Sequence, residues 1–368
     1  MIVQHLAIQN AIHQSHLFMR NSFIDFFPFQ PERSVESQTV TRAYHQGVHI
    51  HNVVFDEFRS SSAVYYSLIS LPVYLYIEKT SFANCENGDE GGAIYYNGNS
   101  GGCALSSVCG YNCYSDDIDG QLCYISTKEL ENDKIILNLT SATRCSPPFI
   151  NGFRCSSIYL KNGNVTIRNL NSTNNYLSYT SGLQLRNAKQ SSIQFANFVD
   201  NVVSYYAVIA LIHLETCLHI DWIRSINMIR NNSPDPNGGI IHGEIANINT
   251  TNSIFLDNFG TLFFGKSGHI TVNNCFLKHG TIFPIFNTTR STTSSVITTD
   301  IYTQTLQIER FATYYCILDF ILPVQTPCMT IPLPPTGCPT AHSPSASGLS
   351  LLNSFKFLLS SFLSSSYI

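Results

Sequence analysis

Charge is what this chain has least of. Lys, Arg, Asp and Glu together make up 12% of its 368 residues, the net charge is −4, and no basic run stands out. Nucleic acid therefore has no electrostatic footprint here. No run of about 20 apolar residues is present to form an unbroken membrane span. The first twenty residues are interrupted by Gln4, His5, Gln9, Asn10, His13, Gln14 and His16, so they do not read as a signal peptide. A Gly-rich phosphate loop, a Gly-x-Ser-x-Gly elbow and a Cys/His nucleophile pair are all missing from the sequence. No cofactor is expected.

What is present is a hydrophobic fraction of 44%, with 19 Tyr and 24 Phe against 21 Gly and 15 Pro. That excludes general disorder and supplies a core. Aromatic and β-branched residues set among Asn, Ser, Thr and Gly favour strands and turns over helices. Twelve cysteines and sequons at Asn138, Asn164, Asn171, Asn231, Asn249 and Asn287 fit an exported, oxidised setting, with those six asparagines as glycosylation candidates. The expected location is the cell surface or the secreted fraction.

The organising stretch is Glu86-Asn87-Gly88-Asp89-Glu90-Gly91-Gly92-Ala93-Ile94-Tyr95-Tyr96-Asn97-Gly98, a polar turn, two glycines, a β-prone run and an Asn-Gly turn. Ser62 to Tyr66, Ser156 to Gly163, Ser181 to Asn187, Tyr206 to Leu211, Gly238 to Ile241 and Gly260 to Phe264 are weakened copies. A second series alternates apolar and polar residues, at Val48, Val73, Val165, Ile193, Leu218 and Ile270, with Ile135 to Leu139 as a further member. Both recur at about 25 to 30 residues, within the range of solenoid repeats. The fold predicted is all-β, a right-handed parallel β-helix of about eight coils stacked at about 4.8 Å, with Val165, Ile193 and Leu218 lying over one another in its core.

Four regions follow: an N-terminal segment 1–44 as a candidate cap of the helix, the β-helix 45–310, a Pro/Ser-rich stalk 311–347, and a Leu/Phe/Ser-rich tail 348–368 that is open to reading as a degenerate membrane anchor, a lipid-anchor signal, a floppy end or an end cap. Between residues 98 and 134 the array breaks, and a Cys-rich loop is expected to emerge there. Cys103, Cys109, Cys113 and Cys123 in the loop and Cys328 and Cys338 in the stalk are the disulfide candidates, with pairing left open.

Gly91-Gly92-Ala93-Ile94 and the Phe-x-x-Asn units Phe198 to Asn201 and Phe255 to Asn258 resemble the repeats of polymorphic outer-membrane-type proteins. The Cys region with Gly110-Tyr111-Asn112-Cys113 is similar to right-handed β-helix surface proteins of parasitic protists that share those repeats. The resemblance covers residues 48–285 and implies a cell-surface adhesin or coat protein with a C-terminal membrane segment. It supplies no catalytic residues.

Chemistry is sparse. His45, His49 and His51 offer a metal cluster without a third and fourth ligand in a suitable place, so a polar outer strand face is expected instead. Asp116, Asp117 and Asp119 before Gly120 resemble part of a calcium loop, but the register lacks its first ligand and its closing Glu. Zinc at the loop cysteines would need Cys-x2-Cys spacing, which is absent. A β-helix glycosidase needs two carboxylates on neighbouring rungs; Asp200 and Asp257 stand about two rungs apart and Asp221 stands alone. No catalytic or metal residue is predicted. The function expected is non-catalytic, binding a host or cell-surface protein or glycan through a long flank, with membrane attachment through the tail. The alternatives are a carbohydrate-active β-helix enzyme, a polysaccharide lyase or hydrolase, and a degenerate repeat protein without activity.

Overall fold

The computed structural model describes residues 23–27, 31, 33–35, 41–42, 46–59, 61–68, 72–116, 119–128, 133–146, 156–213, 220–279, 284–288, 294–298 and 306. All belong to a compact unit spanning Met1–Pro323; a second unit, Val324–Ile368, lies outside the described residues. The stalk, the tail, Cys328 and Cys338 therefore fall outside them as well. The described chain is almost entirely β, and strands of successive coils pair in parallel. Two walls result, a long one of 19 strands and a short one of ten, beside a two-stranded pair. In order, the ten short-wall strands are Thr41–Arg42, Val64–Leu68, Ile94–Gly98, Cys123–Ser126, Ser156–Lys161, Thr180–Arg186, Ala207–Ile212, Gly239–Glu244, Phe263–Gly265 and Phe286–Thr288. They number the coils one to ten.

Period-2 alternation sends every second long-wall residue inward. One inward column runs Ile50, Ile77, Leu105, Leu137, Ile167, Ile193, Ile223, Thr250 and Val272, paired coil by coil and buried throughout. Its neighbour runs Val48, Leu75, Cys103, Ile135, Val165, Ser191, Asp221, Ile248 and Ile270. The polar members Ser191 and Asp221 are accommodated by a local network. Ser191 Oγ donates to Asp221 Oδ1 at 2.6 Å, and His213 Nε2 lies 2.9 Å from Asp221 Oδ2.

Two corners per coil are made by left-handed residues. Asn52, Lys79, Ser107, Leu139, Asn169, Phe195, Ser225, Asn252 and Asn274 occupy the first, with φ of 44–56°. Glu57, Asn84, Asn112, Arg144, Asn174, Asp200, Arg230 and Asp257 occupy the second, with φ of 51–56°. Asn recurs because its short amide tolerates this conformation. At Gly101 (φ 115°) a Cβ would collide with the Val73 backbone, so this coil can sit on its neighbour only with glycine there.

The residue after the second corner points inward and forms a ladder. Cys85, Cys113 and Cys145 occupy coils three to five, and Asn175, Asn201, Asn231 and Asn258 continue through coils six to nine. Asn175 Nδ2 donates to Asn201 Oδ1 at 3.1 Å, Asn201 Nδ2 to Asn231 Oδ1 at 3.2 Å, and Asn231 Nδ2 to Asn258 Oδ1 at 3.0 Å. The same acceptors also take the backbone N–H of Asn175, Asn201 and Asn231.

An aromatic row climbs the outside of the short wall. Tyr65, Tyr95, Tyr124 and Tyr159 stack at 4.9, 5.3 and 5.1 Å. In coils six and seven the strand positions are Gln184 and Ala210, and the rings come from Tyr179 and Tyr206, 4.3 Å apart. The row then returns to the strand at His242 and Phe264.

Several expectations are corrected. Residues 98–134 are not an emergent loop: Gly101–Tyr111 pairs with both neighbouring long-wall strands and Cys123–Ser126 with both neighbouring short-wall strands, making the fourth coil. Among the described residues the short wall has ten strands, not about eight. Arg33–Val35 and Thr41–Arg42 already pair with the second coil, so stacking begins before residue 45. Phe23–Phe26 is a short helix whose Phe23 packs with Phe27 against Tyr76 and Ala104 on the outside of the wall, not over an end. Finally, Val165 lies level with Ser191, and Ile193 with Ile167 and Ile223. The stack is real but its register is two residues from the expected one, and Leu218 lies outside the described residues.

Candidate functional site

The outer face of the long wall changes character along the column. In coils two to five its middle outward column is His49, Tyr76, Ala104 and Ile136. Phe23, Phe26 and Phe27 cover this part, with ring centroids 4.9 Å apart for Phe26 and Tyr76 and 5.1 Å for Phe27 and Tyr74. His49 stacks on Tyr76 at 4.8 Å and its Nε2 is 3.4 Å from Glu78 Oε1. Tyr76 donates its hydroxyl to Glu78 at 2.8 Å, and His51 Nε2 is 2.7 Å from Ser34 Oγ. Burial first, and Glu78 second, push the Tyr76 hydroxyl far above its ordinary range. His49 and His51 thus belong to a covered polar network. Among the described residues no group of three His, Cys, Asp or Glu is placed to hold a metal ion; His45 and Asp117 are outside them.

In coils six to ten two outward columns of the same wall are partly exposed, while beside them Leu306 bonds the buried Asn227 side chain through both its N–H and its carbonyl. The middle outward column continues as Thr166, Ser192, Trp222, Asn249 and Thr271. Beside it run Arg168, Gln194, Arg224, Thr251 and Asn273. All ten are half-buried or exposed. The Arg224 guanidinium sits 4.1 Å from the Trp222 ring centre, a cation–π contact that holds both flat on the wall. Lys134, exposed on the long wall of coil five just below, adds a further cation, and within coils six to ten neither column contains a carboxylate.

Three carboxylates elsewhere are matched to cations. Arg230 Nε and Nη2 donate to Asp200 at 2.7 and 2.6 Å, Lys278 lies 3.1 Å from Asp257, and Lys266 bonds Glu244. Arg230 occupies the corner position between Asp200 and Asp257, so those two acids are held two coils apart and cannot flank one bond. Asp221 is sealed inside with His213. Asp116 and Asp119 lie in turns tied to the coil by the Asp116 N–H to Asn87 and the Asp119 carbonyl to Gly91.

The cysteine expectation is revised in the same way. Cys103, Cys113 and Cys123 are buried free thiols, as are Cys85, Cys145 and Cys275, while Cys109 is disulfide-bonded. Burial holds the Cys103, Cys113 and Cys123 thiols well above their usual range, so they behave as small hydrophobes and not as nucleophiles. Of the sequon asparagines, Asn171 and Asn231 are 1% and 0% exposed and cannot carry a glycan in the folded column. Asn138, Asn164, Asn249 and Asn287 are partly exposed, the first three on the long wall.

Trp222 and the cations around it were missed as a group in the sequence. Arg168 and Arg224 look isolated because 56 positions separate them, yet they are two coils apart in one column. The signal was the lone tryptophan next to an arginine at i+2, the spacing of strand neighbours on one face. Among the described residues no helix is long and apolar enough to cross a membrane. Compared with protein-family models, curated proteins and solved structures, the chain matches none of them.

Proposed function

We propose that the chain is a non-catalytic surface protein of the adhesion type, which binds a host or cell-surface partner through the long flank of a right-handed parallel β-helix. Right-handed coiling is what about 98% of parallel crossovers adopt. The repeats that resemble those of polymorphic outer-membrane-type proteins agree with exposure at the cell surface or secretion, and the tail would supply membrane attachment. The observation that carries the proposal is the partly exposed upper half of the long wall, where hydroxyls, amides, two arginines and the only tryptophan face outward in register. Such a face offers a repeating set of hydrogen-bond partners with an aromatic anchor, the composition of a binding surface.

The competing glycosidase would need a carboxylate pair, and the acids near the flank are instead bonded to Arg230, Lys266 and Lys278. The test has two parts. Protease applied to intact producing cells is expected to remove the chain; full protection would overturn the surface placement. Purified chain is expected to bind partner cells saturably; no saturable binding to any cell type that contacts the producer would overturn the adhesion role.

A further inference from the structure

We propose that the upper half of the long wall binds an acidic, carboxylate-bearing polysaccharide lying along the column axis. This rests on the reading of that face as a binding surface and names what it takes. The first argument is charge. The chain as a whole carries −4, yet Arg168 and Arg224 share one outward column of this face, with Lys134 exposed on the coil just below, and within coils six to ten the columns through Thr166 and Arg168 contain no acid. The second is geometry. Arg168 and Arg224 share a column two coils apart, about 9–10 Å at the strand spacing, with Gln194 between them. A polymer whose acidic groups repeat along its length can place one on each guanidinium, whose planar fork matches a carboxylate.

The third argument is the chemistry between the charges. Thr166, Ser192, Asn249 and Thr271 supply hydroxyl and amide groups, which pair with sugar hydroxyls. Trp222, held by Arg224, gives one apolar platform for a sugar ring. A single-stranded nucleic acid is also a polyanion, but it draws its affinity from several aromatic side chains on which successive bases stack. Within coils six to ten Trp222 is the only aromatic ring in the two columns, so a saccharide is favoured.

The experiment uses the full chain without a glycan on Asn249, because Asn249 shares the Trp222 column. Polygalacturonate, neutral dextran and a single-stranded DNA oligomer are each titrated, with the fluorescence of the only tryptophan and calorimetry as readouts. Polygalacturonate is expected to shift the Trp222 signal saturably and to bind less tightly as salt rises, with dextran and the oligomer at least about tenfold weaker. Arg168→Ala and Arg224→Ala should each weaken calorimetric binding about tenfold, while Lys161→Ala on the short wall leaves it unchanged. No binding of polygalacturonate, equal binding of the oligomer, or indifference to both arginine variants in chains of unchanged thermal midpoint would overturn the proposal. If the chain binds cells and polygalacturonate neither binds nor competes, the adhesion role stands and the acidic ligand falls. If polygalacturonate binds and no cell does, the adhesion role is the part that fails.

Discussion

Coils three to five and coils six to nine solve the same corner differently. Cys85, Cys113 and Cys145 fill the inward position with small apolar side chains, whereas Asn175, Asn201, Asn231 and Asn258 fill it with amides bonded from coil to coil. A thiol asks little of its surroundings and contributes mainly its packing. A buried amide must have every donor and acceptor met, and then fixes its neighbours as well. Asn231 does this twice over, accepting from the Asn201 N–H and amide while donating to the Phe198 carbonyl at 2.8 Å. The lower coils are therefore tolerant and the upper ones exacting.

The contrast predicts unequal costs. Asn231→Ala leaves the Asn201 N–H and one N–H of the Asn201 amide buried without their acceptor, at about 1–3 kcal/mol each, and takes the side-chain donor from the Phe198 carbonyl. A loss of about 3–5 kcal/mol is expected in urea unfolding; a loss below about 1 kcal/mol would mean the amide chain adds nothing beyond packing. Next in size is an acid effect confined to the upper half. Burial, with Lys266 adding to it, lowers His242 to about 3, and its ring nitrogens have no hydrogen-bond partner. The unfolded chain binds a proton below about pH 6.5 that the folded one refuses until about pH 3. Stability present above pH 6.5 should thus fall by about 1.4 kcal/mol per unit as the pH drops through that window. His242→Phe, stacked between Tyr206 and Phe264, should flatten this limb and be about 2 kcal/mol more stable than the parent at pH 5, measured by unfolding at pH 7 and pH 5.

In the lower ladder Cys113→Ala removes only one small buried group, and about 1–2 kcal/mol is expected from the same urea assay. A cost equal to that of Asn231→Ala would erase the distinction between the two halves. The smallest effect concerns the first corner, where Phe195 holds a φ of 56° that bulky side chains resist. Phe195→Asn should raise stability by about 1 kcal/mol, seen as a higher thermal midpoint.

Strands and their parallel stacking were legible because alternation and recurrence are visible in a linear chain. Register was not, since shifting by two residues leaves every side chain on the same face; Val48 pairs with Leu75 and not with Val73. The fourth coil was hidden because Gly101, Gly102 and Gly110 look like turns and its cysteines look like bridges, whereas these residues let the coil pack closely. Leu218, Ile220 and Trp222 alternate in the sequence, a pattern that by itself would turn Trp222 inward. The buried Asp221, matched by His213 and Ser191, reverses that phase, and no apolar pattern announces a satisfied carboxylate. The binding face was illegible for the same reason: its members meet only once the coils are stacked.

The Asn231 sequon turns maturation into a race. An oligosaccharide transferred to that amide while the chain is still open would be wedged where the column has no room for it, and stacking beyond the seventh coil could not finish. In a compartment that attaches such sugars, the share of molecules left bare at Asn231 would serve as a clock for how fast the upper coils close.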